Sequence, residues 1–224
     1  MKNSALFIIL VLLAGGCGTV PFQETARAPL SSEKPESLVE RFQAHMPVSF
    51  QLLNSIVFEY NWRTFAGISY VDINGQDKVF KVVCLNPMGV KLFELSGDQN
   101  SVTNHYTIAA FTRFGDVAAV VGNDIRRIYF DLLPTPEARI WKSKYMIRFR
   151  QSAGSGHLEY VFAGTDGDLI EKNYYDDSGL LWRASYYEYR EQDGKRFPRG
   201  IVFLNYQYGY RLTVKHREFH SWER

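Results

Sequence analysis

Few residues of this 224-residue chain stand where they could carry chemistry. His216 and His220 lie four apart in "KHREFH". On a strand both would face one side, as two ligands of a shared metal must. No carboxylate with recognised spacing accompanies them, so two surface histidines is the plainer reading. Asp166-Gly167-Asp168 and Asp176-Asp177 fall in turns and lack the ligand order of a calcium loop. There is no serine elbow, phosphate loop or paired metal-ligand motif. Nothing therefore points to catalysis, to a metal or to a cofactor, and no enzyme is expected. Two oddities remain. One is the cysteine pair, Cys17 and Cys84, the only cysteines in the chain. The other is Met88 in "CLNPMGVKLFEL", where Asn86-Pro87-Met88-Gly89 reads as a turn between two apolar strands. Asn, Pro and Gly each have a backbone reason to be in a turn. A flexible apolar side chain at its tip does not.

Cys17 sits behind a targeting segment. Lys2 gives a charged start, "ALFIILVLLA" is an uncharged apolar run, and Gly15-Gly16 supply small residues at a cleavage point. The run is too short for a confident transmembrane span, which needs roughly 20 residues. A cysteine directly after "LLAGG" resembles the signal of bacterial lipoproteins. That resemblance implies cleavage of residues 1–16 and a lipid on Cys17. An ordinary signal peptide with a nearby cysteine is the alternative. With Cys17 acylated, Cys84 has no disulfide partner, and in "KVFKVVCL" it reads as a small core residue. Gly18, rather than Asp, at the next position implies sorting to the outer membrane with the domain facing the periplasm.

The formal charge is +2, and no basic tail or charge run is present, so nucleic acid is an unpromising partner. Aromatic residues make up 15% of the chain, which with many β-branched residues favours strands.

Residues 17–35, containing "GTVPFQETARAPLSSEKP", show little apolar periodicity and are expected to form a lipidated tether. As a flexible coil of about 17 residues it would reach roughly 20–25 Å. The domain is expected over 36–224. A helix is expected over 32–46, capped by Ser31 or Ser32 and stopped by Pro47, with Leu38, Phe42 and Met46 on one face. The period then becomes two. Strands are expected over 52–60, 63–72, 78–85, 90–96 and 101–106, with Asn74-Gly75 as the strongest hairpin signal. Phe114, Val117, Ala118, Val121, Ile125 and Ile128 follow helical spacing, with Gly122-Asn123 splitting the segment and Asn123 or Asp124 capping its second half. Six further strands are expected over 140–150, 157–163, 168–174, 180–189, 197–206 and 210–219.

Eleven antiparallel strands with a helix before them and helices between them make a large curved sheet or an open barrel. Alternation assigns one apolar face to Phe58, Ile68, Tyr70, Phe80, Val82, Phe93, Trp141, Ile147, Phe149, Tyr160, Phe162, Trp182, Tyr186, Leu212 and Val214. Either the helices fill this concavity as a core, or they leave an apolar ligand cavity. Periodicity does not separate the two.

Three segments carry a family resemblance: "LNPMGVKLFELSGDQNSVTN", "NDIRRIYFDLLP" and "FPRGIVFLNYQYGYRLTVK". In these and in the order of its elements the chain is similar to the LolA/LolB lipoprotein carriers, and most of all to LolB, the outer-membrane lipoprotein receptor. Where LolB has Trp and Gly-x-Pro after the insert arginine, this chain has Tyr129, Asp131 and Leu132-Leu133-Pro134. The resemblance implies a mainly β open barrel, with the amino-terminal helix and the helical insert as a lid over an apolar cavity. The cargo it implies is an acylated lipoprotein, or another lipid or glycolipid, received by a monomer from a LolA-like periplasmic carrier. It implies a cargo-transfer role for Pro87, Met88 and Gly89. A structural outer-membrane lipoprotein with a filled core is the alternative.

Overall fold

The computed structural model describes residues 20–112 and 115–222. The signal segment, Cys17, Gly18 and Phe114 lie outside the described residues. Strands β1 (Ser49–Tyr60), β2 (Arg63–Asn74), β3 (Val79–Leu85), β4 (Lys91–Gly97) and β5 (Val102–Thr107) follow helix α1 (Pro35–His45). Helices α2 (Ala109–Thr112) and α3 (Val117–Tyr129) come next. The chain closes with β6 (Arg139–Lys142), β7 (Met146–Ala153), β8 (Gly156–Ala163), β9 (Asp168–Asp176), β10 (Gly179–Gln192), β11 (Lys195–Asn205) and β12 (Tyr210–Ser221). All pairings are antiparallel in one sheet of order β5-β4-β3-β2-β1-β12-β11-β10-β9-β8-β7-β6. The sheet does not close. Its edges, β5 and β6, are the strands that the helical insert joins, and within that insert α3 lies over β4 and β5.

Twelve strands replace the expected eleven because 140–150 is a tight hairpin, not one strand. Ser143 turns the chain, donating from its hydroxyl to the Met146 carbonyl at 3.1 Å while its amide bonds the same oxygen at 2.9 Å. Two helix expectations are also corrected. Helix α1 starts at Pro35, whose fixed φ and missing N–H suit the first helical position, and Lys34 precedes it without a side-chain cap. Helix α3 is continuous through Gly122-Asn123, and its cap is Asp116, whose carboxylate accepts from the Ala119 amide at 3.0 Å. Gly122 does not break the helix; it brings it close. A Cβ there would stand 2.3 Å from Val102 Cγ2, so only glycine lets α3 lie against β5.

The expected tether is corrected from residue 20 onward. Phe22 and Leu30 are buried. Phe22 lies on Gly200 and stacks on Tyr187 at 5.6 Å between ring centroids. The Gln23 amide donates to Glu188 Oε1 at 3.0 Å, and the Leu30 amide to the Lys144 carbonyl at 2.8 Å. This segment crosses the convex face and turns over the sheet edge into α1.

Strand directions give the sheet two rims. The turns 61–62, 86–90 and 206–209 stand at one rim, since Tyr60 pairs with Tyr210 and β3 reaches its turn after Leu85 opposite Ile68. The turns 75–78, 98–101, 164–167 and 193–194 stand at the other.

Candidate functional site

The concave face is a single apolar surface in two adjoining clusters, both roofed by α3. Side chains of β7 to β12 gather around Leu38 and Phe42 of α1 and Ile128 of α3. Side chains of β1 to β5 gather around Ala118 and Ile125 of α3. The 4-3-3 spacing of Ala118, Gly122, Ile125 and Ile128 puts one stripe of α3 on the sheet.

Of the residues assigned to this face from sequence, twelve are on it. Ile147, Phe149, Tyr160, Phe162, Trp182, Tyr186 and Val214 are buried in the first cluster, with Phe58 and Leu212 packed against it. Phe80, Val82 and Phe93 are buried in the second. Three are not. Ile68 and Tyr70 pair with Ser55 and Leu53 on β1, which alternate with the buried Asn54 and Leu52, so both side chains point to the convex face. Tyr70 is 53% exposed while Val71 and Ile73 are buried. Because β2 is apolar on both faces, alternation alone sets its phase one residue out. Trp141 sits opposite Arg148 on the outer face of edge strand β6, 46% exposed, with Arg150 stacked 5.0 Å from its ring centroid.

The roof packs directly on the sheet. Where the carboxyl ends of α1 and α3 meet, an apolar cavity of about 40 Å³ remains, lined by Phe42, Met46, Phe50, Ile128, Tyr186 and Phe197 among others. A site for a drug-sized ligand runs to roughly 300–1,000 Å³, so in this state the concavity holds side chains rather than cargo. Tyr186 is the member of the sequence-assigned set that lines the gap. Phe50 and Phe197 were missed: Phe50 lies one period-two step before the expected strand 52–60, and Phe197 opens the expected strand 197–206, from which no residue was assigned to the face.

The roof is fastened by polar contacts inside this apolar layer. Tyr186 Oη donates to the Ile128 carbonyl at 2.8 Å and Tyr160 Oη to the Asp131 carbonyl at 3.1 Å. Lys172 Nζ donates to the carbonyls of Phe130 at 2.6 Å and Arg127 at 3.2 Å. These oxygens belong to the last turn of α3 and its exit, which a helix leaves unpaired, and a cation there also suits the helix dipole. Burial pulls the Lys172 ammonium down to about 8. Further up the helix, Asp124 is buried, accepts from Tyr210 Oη, and pairs with Arg127 at 3.4 Å. Burial raises its carboxyl to about 7. Arg126 ties the helix to the β4–β5 turn through the carbonyls of Asp98 at 2.6 Å and Ser101 at 2.7 Å.

Met88 projects into solvent, 85% exposed. Its turn is held from below: Asn86 Oδ1 accepts from the amides of Met88 at 3.0 Å and Val90 at 2.9 Å, and the Gly89 amide bonds the Asn86 carbonyl at 2.9 Å. Gly89 has φ of +82°, a conformation that costs glycine little.

The remaining candidates lose their chemistry. His216 is buried against Tyr129 and Phe197, whereas His220 is exposed. The bulge opposite Leu53/Asn54 shifts the alternation between them, so they do not share a face. Burial pushes the His216 imidazole down to about 4 and the Cys84 thiol up to about 12, leaving both neutral core groups. Among the described residues no cluster of three metal-ligating side chains occurs, and no helix is long and apolar enough to cross a membrane.

No family model and no curated protein sequence matches the chain. Its architecture does match solved structures. A LolA superfamily protein from Nitrosomonas europaea superposes with a TM-score of 0.55 at 13% identity, over 84% of this chain and 94% of that one. A putative outer membrane lipoprotein-sorting protein domain from Vibrio parahaemolyticus gives 0.52 at 9% identity, over 83% and 89%. A DUF1329 family protein from Desulfovibrio piger gives 0.53 at 10% identity, over 83% and 90%. At these identities the likeness is one of fold: the open antiparallel sheet with helices against its concave face is LolA-like.

Proposed function

We propose that this protein is an outer-membrane lipoprotein that takes acyl chains onto the concave face of its sheet and helps insert lipoproteins into that membrane. The supporting observation is the apolar concave face roofed by α1 and α3 in a LolA-type sheet. A carrier of this kind needs no catalyst. Each buried CH₂ is worth about 0.8 kcal/mol, so one 16-carbon chain kept from water is worth on the order of 12 kcal/mol. That exceeds the few hydrogen bonds that fasten α3, each worth about 1 kcal/mol net, and contacts with the bound chain would replace the apolar contacts that Ala118, Ile125 and Ile128 give up. The closed state therefore reads as the empty state, and loading means lifting the roof. Lipid on Cys17 would hold the domain at the periplasmic face, and a LolA-like carrier would deliver the cargo. Met88, at its exposed turn, would meet either the incoming chains or the membrane.

The small apolar volume left between the roof and the sheet favours a second reading, a structural lipoprotein whose core is simply filled. One experiment separates them. The chain from residue 20 onward is titrated with an apolar fluorescent probe and competed with a diacylated peptide. Saturable binding reversed by the peptide is expected of a carrier. A well-folded protein that leaves the probe in water is a structural lipoprotein. Membrane fractionation of Cys17→Ala tests the anchor separately, with loss of membrane association expected.

A further inference from the structure

Exposed apolar side chains are not spread evenly over the molecule. Trp62, Met88, Val90, Tyr106, Tyr206 and Tyr208 all stand at one rim of the sheet. Trp62 is 94% exposed, the most exposed large apolar residue among the described residues. Three neighbouring hairpins carry five of these six: β1–β2, β3–β4 and β11–β12. Adjacent hairpins lie two strands apart, so their tips are spaced about 10 Å along the rim.

The chemistry of these tips is uniform. Asn61-Trp62, residues 86–90 and residues 206–209 contain no charged side chain. A cation stands just behind each: Arg63 follows Trp62 and lies 5.6 Å from its ring centroid, Lys91 follows Val90, and Arg211 comes two residues after Gly209. Lys91 and Arg211 also pair with Glu94 and Glu59. Glu59, the partner of Arg211, is the acidic group beside the tips, and the turn acids of this rim sit farther round, at Asp176 and Asp177. The opposite rim differs: its turns carry Asp77, Asp98, Asp166 and Asp193.

Trp62 is also costly where it stands. Asn61 and Trp62 have φ of 44° and 58°, the left-handed pair of a type I′ turn. Asn and Gly suit that turn, whereas a bulky side chain there is an outlier. A strained residue with its ring in water gains little from the folded monomer beyond the Arg63 contact, which is weak at an exposed site.

The amino-terminal segment points the same way. It passes Gly164 near the opposite rim at Thr25, bonds Glu188 at Gln23 and covers Gly200 at Phe22, so it climbs toward the tips as it runs back to residue 20. Cys17 is five residues beyond Phe22, at most about 17 Å of chain. Gly200 is itself five residues of β11, about 17 Å, from the Asn205 end of that strand.

We infer that this rim is a membrane-docking edge: Trp62, Met88 and the Tyr206/Tyr208 pair enter the headgroup layer of a bilayer, with Arg63, Lys91 and Arg211 at phosphate level. Trp and Tyr are the residues that favour the membrane–water boundary, and Lys and Arg reach back to its phosphates. This rests on the membrane placement proposed above and not on any particular cargo. It also orients the molecule, with the sheet axis steep to the membrane and the acidic rim facing the periplasm.

The test uses the full chain, purified in detergent and reconstituted into phosphatidylethanolamine/phosphatidylglycerol vesicles with bromine on the acyl chains. Bromine quenches only tryptophan that it meets. The chain has four tryptophans, so the difference between wild type and Trp62→Phe isolates the one at the tip. Expected is quenching of the wild type, stronger with bromine near the headgroups than deep in the bilayer, with more than half of it lost in Trp62→Phe. Tyr206→Ser combined with Tyr208→Ser should weaken the Trp62 quenching several-fold with unchanged thermal melting. Protein that floats with the vesicles while Trp62 stays unquenched would overturn the docking edge and leave the carrier reading standing. Protein that does not float would overturn both membrane placements. Trp62 shielded in lipid-free solution by concentration-dependent self-association would make the rim an interface between copies, and the lipid assignment would be wrong.

Discussion

Tyr210, rising from the sheet, donates its phenolic hydrogen to the carboxylate of Asp124, which hangs from the roof helix above it. Burial lifts that carboxyl from 3.8 to about 7, with the Tyr210 bond and Arg127 opposing the rise. A carboxyl whose folded value is raised stabilises the fold below its unfolded value and loses that contribution as pH climbs through the folded one. The wild type should therefore lose stability between about pH 4 and pH 7 relative to Asp124→Asn, by as much as ~4 kcal/mol for a three-unit shift. His216 acts oppositely: held neutral at about 4, it costs stability as pH falls below 6.5. Melting curves at pH 5, 6, 7 and 8 check this, and a constant gap between wild type and Asp124→Asn would refute it.

Lys172 should set how readily the roof lifts. Lys172→Met removes the donor to the Phe130 and Arg127 carbonyls and leaves two polar groups under the helix exit. A loss of about 1–3 kcal/mol is expected, together with faster uptake of an apolar probe in stopped-flow mixing. Lower stability with unchanged uptake would detach the latch from loading.

Gly122 should tolerate no side chain while Val102 is present. Gly122→Ala puts a methyl into Val102 Cγ2, and overpacking of this kind costs about 1–3 kcal/mol. Val102→Ala in the same chain should recover part of the loss. Additive losses in the double variant would show that the two residues do not meet.

Met88 should matter for delivery and not for folding. Its exposure and its turn, held by Asn86, predict that Met88→Glu changes stability by less than about 0.5 kcal/mol. Transfer of bound acyl cargo to liposomes should slow, whereas Met88→Leu should behave as wild type. Normal transfer by Met88→Glu would leave Met88 an ordinary turn residue.

Leu30 should behave as core although it precedes the first helix. It is 2% exposed among Leu38, Phe162 and their neighbours, so Leu30→Ala should cost about 2–5 kcal/mol. A chain starting at residue 36 should melt well below one starting at residue 20. Equal melting temperatures would restore the free tether.

The architecture was legible where period and punctuation agree. Strand alternation with Gly-containing turns marked ten of the twelve strands, and Leu38/Phe42 and Ala118/Ile125/Ile128 marked the two longer helices. What failed did so for physical reasons. The β6–β7 hairpin turns through Ser143-Lys144-Tyr145, with no glycine or proline to announce it. Apolar residues on both faces of β2 hid its phase, so Ile68 and Tyr70 were set inward. The bulge in β12 shifted His216 against His220, and no residue type signals it. Phe22 and Leu30 follow Val20-Pro21 and Ala28-Pro29 in a segment with no apolar period and are buried by distant strands, which local composition cannot show. The apolar face itself was largely readable, but its free volume was not, because that depends on how closely α3 lies on β5 through Gly122.

The seating of Phe22 on Gly200 changes the mechanics of anchoring. With lipid on Cys17, the free linker shrinks from about 17 residues to about five, and its coil span from some 20–25 Å to roughly 12 Å. The volume that the domain can sweep falls by almost an order of magnitude, and the local concentration of its tips at the lipid surface rises in proportion. Such a molecule behaves less like a tethered float than like a moored pier. On the carrier reading proposed above, it would not travel to meet its cargo; the cargo would have to be brought within reach of the rim, over a distance set by the length of a β-hairpin.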